Sequence, residues 1–99
     1  MRESTIEKYL CTEVVKAGGC TYKFVSPGRV NVPDRIVIWP AGRRFTAAGI
    51  AFVELKAPGE KPRPGQAREI RRLLDLGCSV AVLDSKELVD LFVKNWRTA

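Results

Sequence analysis

The stretch Ile-Ala-Phe-Val-Glu-Leu-Lys at residues 50–56 decides the fold, because it is apolar on both faces until its charged end. A run of this kind predicts a strand in the interior of a sheet. Successive side chains of a strand alternate between its two faces, so Phe52, Glu54 and Lys56 share one face. A carboxylate and an ammonium group are therefore expected side by side at the end of a central strand.

The residues before this strand predict one helix and two further strands. Ser4 or Thr5 can cap a helix that runs to about Lys16 and ends at the glycines of residues 18–19. Residues 20–25 and 34–39 are rich in β-forming side chains, and a turn containing Pro27 separates them. Two adjacent strands joined by a loop are expected here.

The residues after the central strand predict a helix, a strand and a last helix. Residues 57–65 form a loop rich in Pro and Gly, residues 66–76 have helical spacing up to Gly77, and residues 78–83 form a short apolar strand. Ser85 can cap a helix that carries Leu88, Leu91, Phe92 and Trp96. The order αβββαβα predicts an α/β fold class with a mixed sheet, and residues 1–99 are expected to form a single domain.

The charge balance points to a polyanionic partner. Seventeen Lys and Arg against eleven Asp and Glu give a net charge of +6 and a sequence pI near 9.6. Nucleic acid is the leading partner, although a basic structural protein has the same balance. The chain contains no histidine, which excludes an imidazole base or metal ligand, so catalysis has to use carboxylates, lysine and metal.

The cysteines and the hydropathy indicate a cytoplasmic protein. Cys11, Cys20 and Cys78 are odd in number and widely spaced, which fits neither a disulfide framework nor a thiolate zinc site. The chain lacks eighteen consecutive apolar residues, and its N-terminus has no apolar signal core. No membrane association and no small-molecule cofactor are expected.

Glu54 has two possible explanations. A charged pair at the end of a strand is often an ordinary surface feature, and Glu-x-Lys alone does not exclude this. Asp34, preceded by Pro33, begins the neighbouring strand, so the two carboxylates and Lys56 can converge at one end of the sheet. Paired carboxylates suit Mg²⁺ or Mn²⁺, with Lys56 placed to orient a metal-activated water and to offset charge on a phosphate.

Three segments resemble one family. They are Val32-Pro33-Asp34, the string Phe-Val-Glu-Leu-Lys-Ala-Pro-Gly at residues 52–59, and Pro64-Gly65-Gln66. Together they look like the VRR-NUC (virus-type replication-repair nuclease) family of the PD-(D/E)XK nuclease superfamily, whose αβββαβ core has the order predicted here. The sequence departs from the family at residues 30–32, Val-Asn-Val, where a glycine commonly stands near the Pro-Asp. This departure puts the loop geometry in question and leaves the chemistry intact.

The resemblance implies a metal-dependent deoxyribonuclease with additional site residues. It places Asp34, Glu54 and the Leu55 carbonyl on the metal, with Glu7 of the first helix assisting and Gln66 beside Lys56. Glu7 stands three residues after Ser4 and could instead close a capping box. Gln66 aligns with Ile70 and could be a buried structural amide.

Substrate and assembly follow from the same resemblance and from charge. The expected activity is hydrolysis of DNA phosphodiester bonds in replication, repair or recombination, selective for flaps or junctions, by a homodimer in a bacterial or phage-infected cell. The alternatives are an inactive basic DNA-binding module of the same fold and a structural protein. Candidate phosphate contacts lie on loops and on the second helix: Arg29, Arg43, Arg44, Lys61, Arg63, Arg68, Arg71 and Arg72. Trp39 and Trp96 are expected in the core or an interface, and neither is assigned to DNA.

Overall fold

The computed structural model describes residues 1–41 and 49–97, apart from the side chain of Arg97. Its elements are α1 (Glu3–Lys16), β1 (Cys20–Lys23), β2 (Arg35–Trp39), β3 (Gly49–Leu55), α2 (Pro64–Asp75), β4 (Ser79–Leu83) and α3 (Lys86–Arg97). The predicted order of helices and strands is confirmed. The boundaries differ from the prediction by up to three residues, the largest difference being at the start of α1.

The four strands form one mixed sheet in the order β1-β2-β3-β4. β2 pairs antiparallel with β1 and with β3, whereas β3 pairs parallel with β4. The parallel pair needs a crossover connection, which α2 provides. The strand at residues 49–55 is therefore interior, and the predicted α/β class with a mixed sheet is confirmed.

The hydrophobic core lies between one face of the sheet and the two terminal helices. α1 and α3 pack against each other and against that face. The buried core side chains are Ile6, Leu10, Val14, Val37, Trp39, Val53, Leu55, Leu83, Val89 and Val93. The two interior strands are therefore fixed from one side, and this burial positions the polar residues at their ends.

Glycines end both of the first two helices as predicted, but the start of α1 was predicted wrongly. Gly18 and Gly77 have φ values of +91° and +92°, the left-handed conformation that glycine adopts without a steric penalty. The N-cap of α1 is Arg2, without a side-chain cap hydrogen bond, so neither Ser4 nor Thr5 caps the helix. Glu3 consequently occupies its first turn, where a carboxylate interacts favourably with the helix dipole.

The predicted cap of α3 is confirmed, but its core face differs from the leucines named from the sequence. The Leu88 amide donates a hydrogen bond of 3.1 Å to Ser85 Oγ. Val89 and Val93 are buried, whereas Leu88 and Leu91 are exposed. The spacing and the size of the apolar side chains do not by themselves determine which side of this helix packs against the sheet.

Both tryptophans pack in or against the core, as expected. Trp39 is fully buried, and its ring stacks on Trp96 with centroids 5.7 Å apart. Gly49 lies directly beneath the Trp96 ring, so a Cβ at that position would collide with the indole. The close approach of α3 to the start of β3 therefore depends on a glycine.

The helices are short, and the cysteines are not cross-linked. No helix within residues 1–41 and 49–97 is long and apolar enough to span a membrane. Cys11, Cys20 and Cys78 are all unpaired thiols.

Candidate active site

Asp34 lies immediately before β2, at the end of the sheet where β3 finishes. Arg35 pairs with Val53 in the antiparallel register, which sets Asp34 opposite Glu54. The Leu55 amide donates a hydrogen bond of 2.8 Å to Asp34 Oδ2. The backbone of β3 thus fixes the Asp34 carboxylate beside the end of its own strand.

Glu54 is a buried carboxylate that lacks a hydrogen-bond donor. The residue is 1% exposed, and neither side-chain oxygen accepts a hydrogen bond from any residue that the structure describes. Burial, followed by the nearby Asp34 carboxylate, raises the pKa of the Glu54 carboxyl to about 7. Two ionised carboxylates cannot hydrogen-bond each other, so the pair requires either a shared proton or a cation.

Lys56 is buried beside the carboxylates and is held by Gln66. Its Nζ lies 3.8 Å from Glu54 Oε2 and donates a hydrogen bond of 2.8 Å to Gln66 Oε1. The same oxygen accepts a hydrogen bond of 2.9 Å from the Arg63 amide at the start of α2. The first turn of α2 therefore positions the Lys56 ammonium group.

Of the two glutamates near the start of α1, Glu7 is paired elsewhere. Glu7 Oε2 accepts a hydrogen bond of 2.8 Å from Arg35, whose Nε also binds Thr21. Because Ser4 is not the cap, the capping-box role for Glu7 does not apply. Its charge is balanced by Arg35 on the face of the sheet that packs against α1.

Glu3, one helical turn earlier, is the α1 carboxylate that interacts with the site. Partial desolvation and the nearby Asp34 charge raise the pKa of Glu3, while Lys56 opposes the shift. Sequence reasoning missed this residue because it placed the start of the helix after Glu3. The available signal was the four-residue spacing of Glu3 and Glu7, which puts both on one helix face.

The loop before Asp34 has a left-handed residue where the family commonly has a glycine nearby. Asn31 has a φ of 67°, and asparagine is among the non-glycine residues that tolerate this conformation best. Its side chain lies against Gly65, where a Cβ would come within 2.6 Å of Asn31 Nδ2. The departure at residues 30–32 is thus accommodated by Asn31 and by the absence of a side chain at Gly65.

The residues at this end of the sheet fit a hard divalent cation. No cluster of three His, Cys, Asp or Glu side chains suited to a metal occurs in the part of the chain that the structure describes. Mg²⁺ does not need three, because it is usually bound through one or two carboxylates and completes its octahedron with water and substrate oxygens. The donorless oxygens of Glu54 beside Asp34 are the observation that supports this fit.

The predicted phosphate contacts occupy different surroundings. Arg29 forms an ion pair of 2.8 Å with Glu69, and Arg71 forms one of 2.8 Å with Asp75. Lys61, Arg63 and Arg68 are exposed on the loop after β3 or on the first turns of α2, and Arg72 lies 3.7 Å from Glu69. Arg43 and Arg44 lie outside the described residues.

The fold matches that of a nuclease domain family. A solved structure of a VRR_NUC domain superposes with a TM-score of 0.80 at 32% sequence identity, covering 93% of this chain and 94% of that one. The VRR-NUC domain family model matches residues 20–87. The chain belongs to the VRR-NUC domain family, as its sequence motifs predicted.

A phage protein with a similar sequence is also named as a nuclease. A protein of Acyrthosiphon pisum secondary endosymbiont phage 1, named "Putative nuclease p44", is 58% identical over 88 residues, which are 89% of this chain and 88% of the relative. The family match and this relative support a nuclease.

Proposed function

We propose that this nuclease hydrolyses DNA phosphodiester bonds and depends on Mg²⁺ or Mn²⁺, held by Asp34, Glu54 and the Leu55 carbonyl. The observation that carries the proposal is the buried Glu54 carboxylate, which has no hydrogen-bond donor and has Asp34 beside it. A divalent cation, when bound, polarises the phosphate and makes water a better nucleophile at neutral pH. Glu3 is proposed as the assisting α1 carboxylate in place of Glu7.

Lys56 is proposed to act on the water and on the phosphate. One of its three N–H donors is used by Gln66, which leaves two donors for the nucleophilic water and a non-bridging oxygen. A positive charge held in a buried site offsets the negative charge that grows on the non-bridging phosphate oxygens during attack. Gln66 keeps the ammonium group in place, because its oxygen is itself fixed by the Arg63 amide.

Substrate shape and assembly are part of the same proposal. A single domain with a four-stranded sheet and three helices offers by itself little surface with which to clasp a duplex, which favours flaps or junctions cut by a homodimer. The sheet face opposite α1 and α3 exposes Tyr22 and Ile50, at 60% and 55%, and apolar side chains of this kind are suited to a dimer contact. A phage relative and three unpaired cysteines support action in the cytoplasm of a bacterial or phage-infected cell.

The test is cleavage of supercoiled plasmid, flap and four-way-junction DNA with Mg²⁺, Mn²⁺ or excess EDTA. Asp34→Asn and Lys56→Met are expected to lower cleavage by about 100-fold or more, the usual effect of removing a group that stabilises a transition state. Asp75→Asn, an exposed carboxylate on α2, is the matched control and should cut like wild type. Equal cutting by all variants, or full cutting in EDTA, would discard this site; salt-sensitive DNA binding without any cleavage would favour the inactive DNA-binding module.

A further inference from the structure

A second polar feature lies one helical turn beyond Gln66, in a groove between α2 and the loop that joins β1 to β2. We call it the arginine groove and define it by Arg29 on the loop, Arg68 and Arg72 on α2, and Glu69 at its base. Its volume is about 520 Å³, whereas one water molecule needs roughly 10–15 Å³ by the same measure. The groove is therefore large enough for a phosphate group and part of a nucleotide.

Glu69 organises the groove. It is 6% exposed, and its carboxylate lies 2.8 Å from Arg29 Nε and 3.7 Å from Arg72. A buried carboxylate is strongly unfavourable unless it is paired, so these contacts explain why Glu69 is tolerated as the buried residue of a helix whose other residues are exposed or partly buried. They also join the loop to α2, since Arg29 and Glu69 are forty residues apart in the chain.

The arginines retain donors for a ligand. Arg29 contacts Glu69 through Nε, and a guanidinium has four further N–H donors on its terminal nitrogens. The Arg68 side chain forms no hydrogen bond or ion pair with any residue in the described ranges. Three arginines against one glutamate leave an excess of two positive charges, and guanidinium groups match the geometry of phosphate oxygens.

The groove is close to the proposed site of cleavage. Gln66 holds Lys56, and Arg68 to Arg72 follow on the same helix at about 3 to 9 Å along its axis, given a rise of 1.5 Å per residue. Successive phosphates of one strand advance by about 3.4 Å along a duplex. A phosphate in the groove would therefore belong to the same stretch of DNA, a few nucleotides from the scissile bond.

We propose that the arginine groove binds a backbone phosphate of the DNA substrate and that Glu69 is a positioning residue for Arg29 and Arg72. This proposal rests on the proposed function in taking DNA as the ligand. It assigns the same consequence, weaker DNA binding, to two opposite changes in charge, because loss of an arginine removes a phosphate contact and loss of Glu69 releases two arginines.

The first experiment measures binding of a fluorescent DNA duplex and flap by anisotropy, in EDTA so that no cleavage occurs, over a series of salt concentrations. Each phosphate contact contributes about 0.9 to the slope of log K against log salt for duplex DNA. Arg29→Ala/Arg68→Ala is expected to lower the slope by about that amount and to weaken binding several-fold. Arg68→Ala and Arg71→Ala each remove one positive charge from α2, inside and outside the groove respectively. Arg71→Ala should change the slope less, and equal slopes for these two single variants would overturn the proposal.

The second experiment uses Glu69→Gln. A purely electrostatic role and a positioning role of Glu69 predict opposite changes in DNA affinity for this variant. If the only effect of Glu69 is to reduce the positive electrostatic potential of the groove, removing its negative charge should tighten DNA binding. Binding should weaken if Glu69 holds the arginines in place, and tighter binding would contradict its positioning role. Circular dichroism and a melting curve check that the variant is folded, and Arg68→Ala, which breaks no intramolecular pair, reports on the groove independently.

A third measurement separates this proposal from the proposed function. Groove variants are expected to raise KM for DNA while kcat and the hydrolysis of bis(p-nitrophenyl) phosphate, which cannot reach the groove, stay unchanged. Loss of both activities in equal measure would show that the variants damage the site itself and would contradict a separate phosphate contact. The wild type could cleave neither substrate with any metal while the salt slopes of the groove variants still differ from that of Arg71→Ala. That result would contradict the proposed function and support phosphate binding by the groove.

Discussion

At the level of single residues, the site depends on one carboxylate that the fold buries without a donor. The described structure gives Glu54 no hydrogen-bond donor and one cationic neighbour, Lys56, at 3.8 Å. An unsatisfied buried polar group costs about 1–3 kcal/mol, and more if it is charged. Natural proteins keep such groups where function needs them, and here the use we propose is to hold a cation.

Glu54→Gln is therefore expected to stabilise the metal-free protein while it abolishes cleavage. At pH 8 the gain in free energy of unfolding should be about 1–3 kcal/mol, because the amide is neutral and can donate to Asp34. Urea unfolding in EDTA measures this difference. Glu60→Gln, which changes an exposed loop carboxylate, is the control and should leave stability nearly unchanged; a clear loss of stability in Glu54→Gln would contradict the account of the unpaired carboxylate.

The difference in stability between Glu54→Gln and the wild type is expected to depend on pH. Burial, with Asp34, raises the pKa of Glu54 from 4.5 to about 7 in the folded state, so the folded protein binds more protons than the unfolded chain between these values. The contribution of Glu54 to the free energy of unfolding is fully present below pH 4.5 and is lost as the pH rises through 7. The advantage of Glu54→Gln over wild type should thus be small near pH 5 and largest above pH 7, in urea melts across that range. An advantage that does not vary with pH would be inconsistent with this titration.

The two α1 glutamates offer a matched pair. Glu3 interacts with Asp34 and Lys56, whereas Glu7 is neutralised by Arg35. Glu3→Gln is expected to lower kcat for DNA cleavage about tenfold or more, because one transition-state contact of 1.4 kcal/mol is worth a factor of ten. Glu7→Gln should act mainly on stability through the loss of its ion pair, and a larger loss of kcat in Glu7→Gln than in Glu3→Gln would restore Glu7 to the site.

At the level of elements, patterns within the chain predicted more than contacts between distant segments. The left-handed glycines, the apolar run of β3 and the Pro-Asp before β2 each have a local physical cause, and they were sufficient to predict the element order and the meeting of Asp34 with Glu54. The Glu7–Arg35 and Arg29–Glu69 pairs join residues 28 and 40 positions apart. Local periodicity contains no information about such pairs, so the neutralisation of Glu7 and the arginine groove could not be derived from it.

The contact between β3 and α3 gives a prediction for one glycine. A Cβ at Gly49 would overlap the ring of Trp96, which stacks on the buried Trp39. Gly49→Ala should therefore displace the end of α3 and reduce the free energy of unfolding by about 1–3 kcal/mol, the usual cost of overpacking. Thermal melting measures this, with Gly28→Ala as the control, since a Cβ at Gly28 meets nothing within 4 Å. Equal melting temperatures for the two variants would show that α3 adapts without cost.

At the level of the whole molecule, the sheet has two different faces. α1 and α3 cover one face, while α2 packs against β4 on the other, and Tyr22 and Ile50 stay exposed there. We expect the proposed homodimer to use this second face. Sedimentation of wild type should give a dimer at micromolar concentration and Ile50→Lys a monomer, with Leu91→Lys, on an exposed position of α3, as the control. Wild type that sediments only as a monomer would contradict the dimer.

The proposed chemistry depends on whether Asp34, before β2, and Glu54, near the end of β3, bind a divalent cation. Titration of metal-free protein with Mn²⁺ in a calorimeter, in the absence of DNA and at pH 8, measures this directly. We predict one binding event for wild type and for Asp75→Asn, and its loss in Asp34→Asn and in Glu54→Gln, with both variants still folded. Identical titration curves for wild type and the two site variants would contradict the central claim.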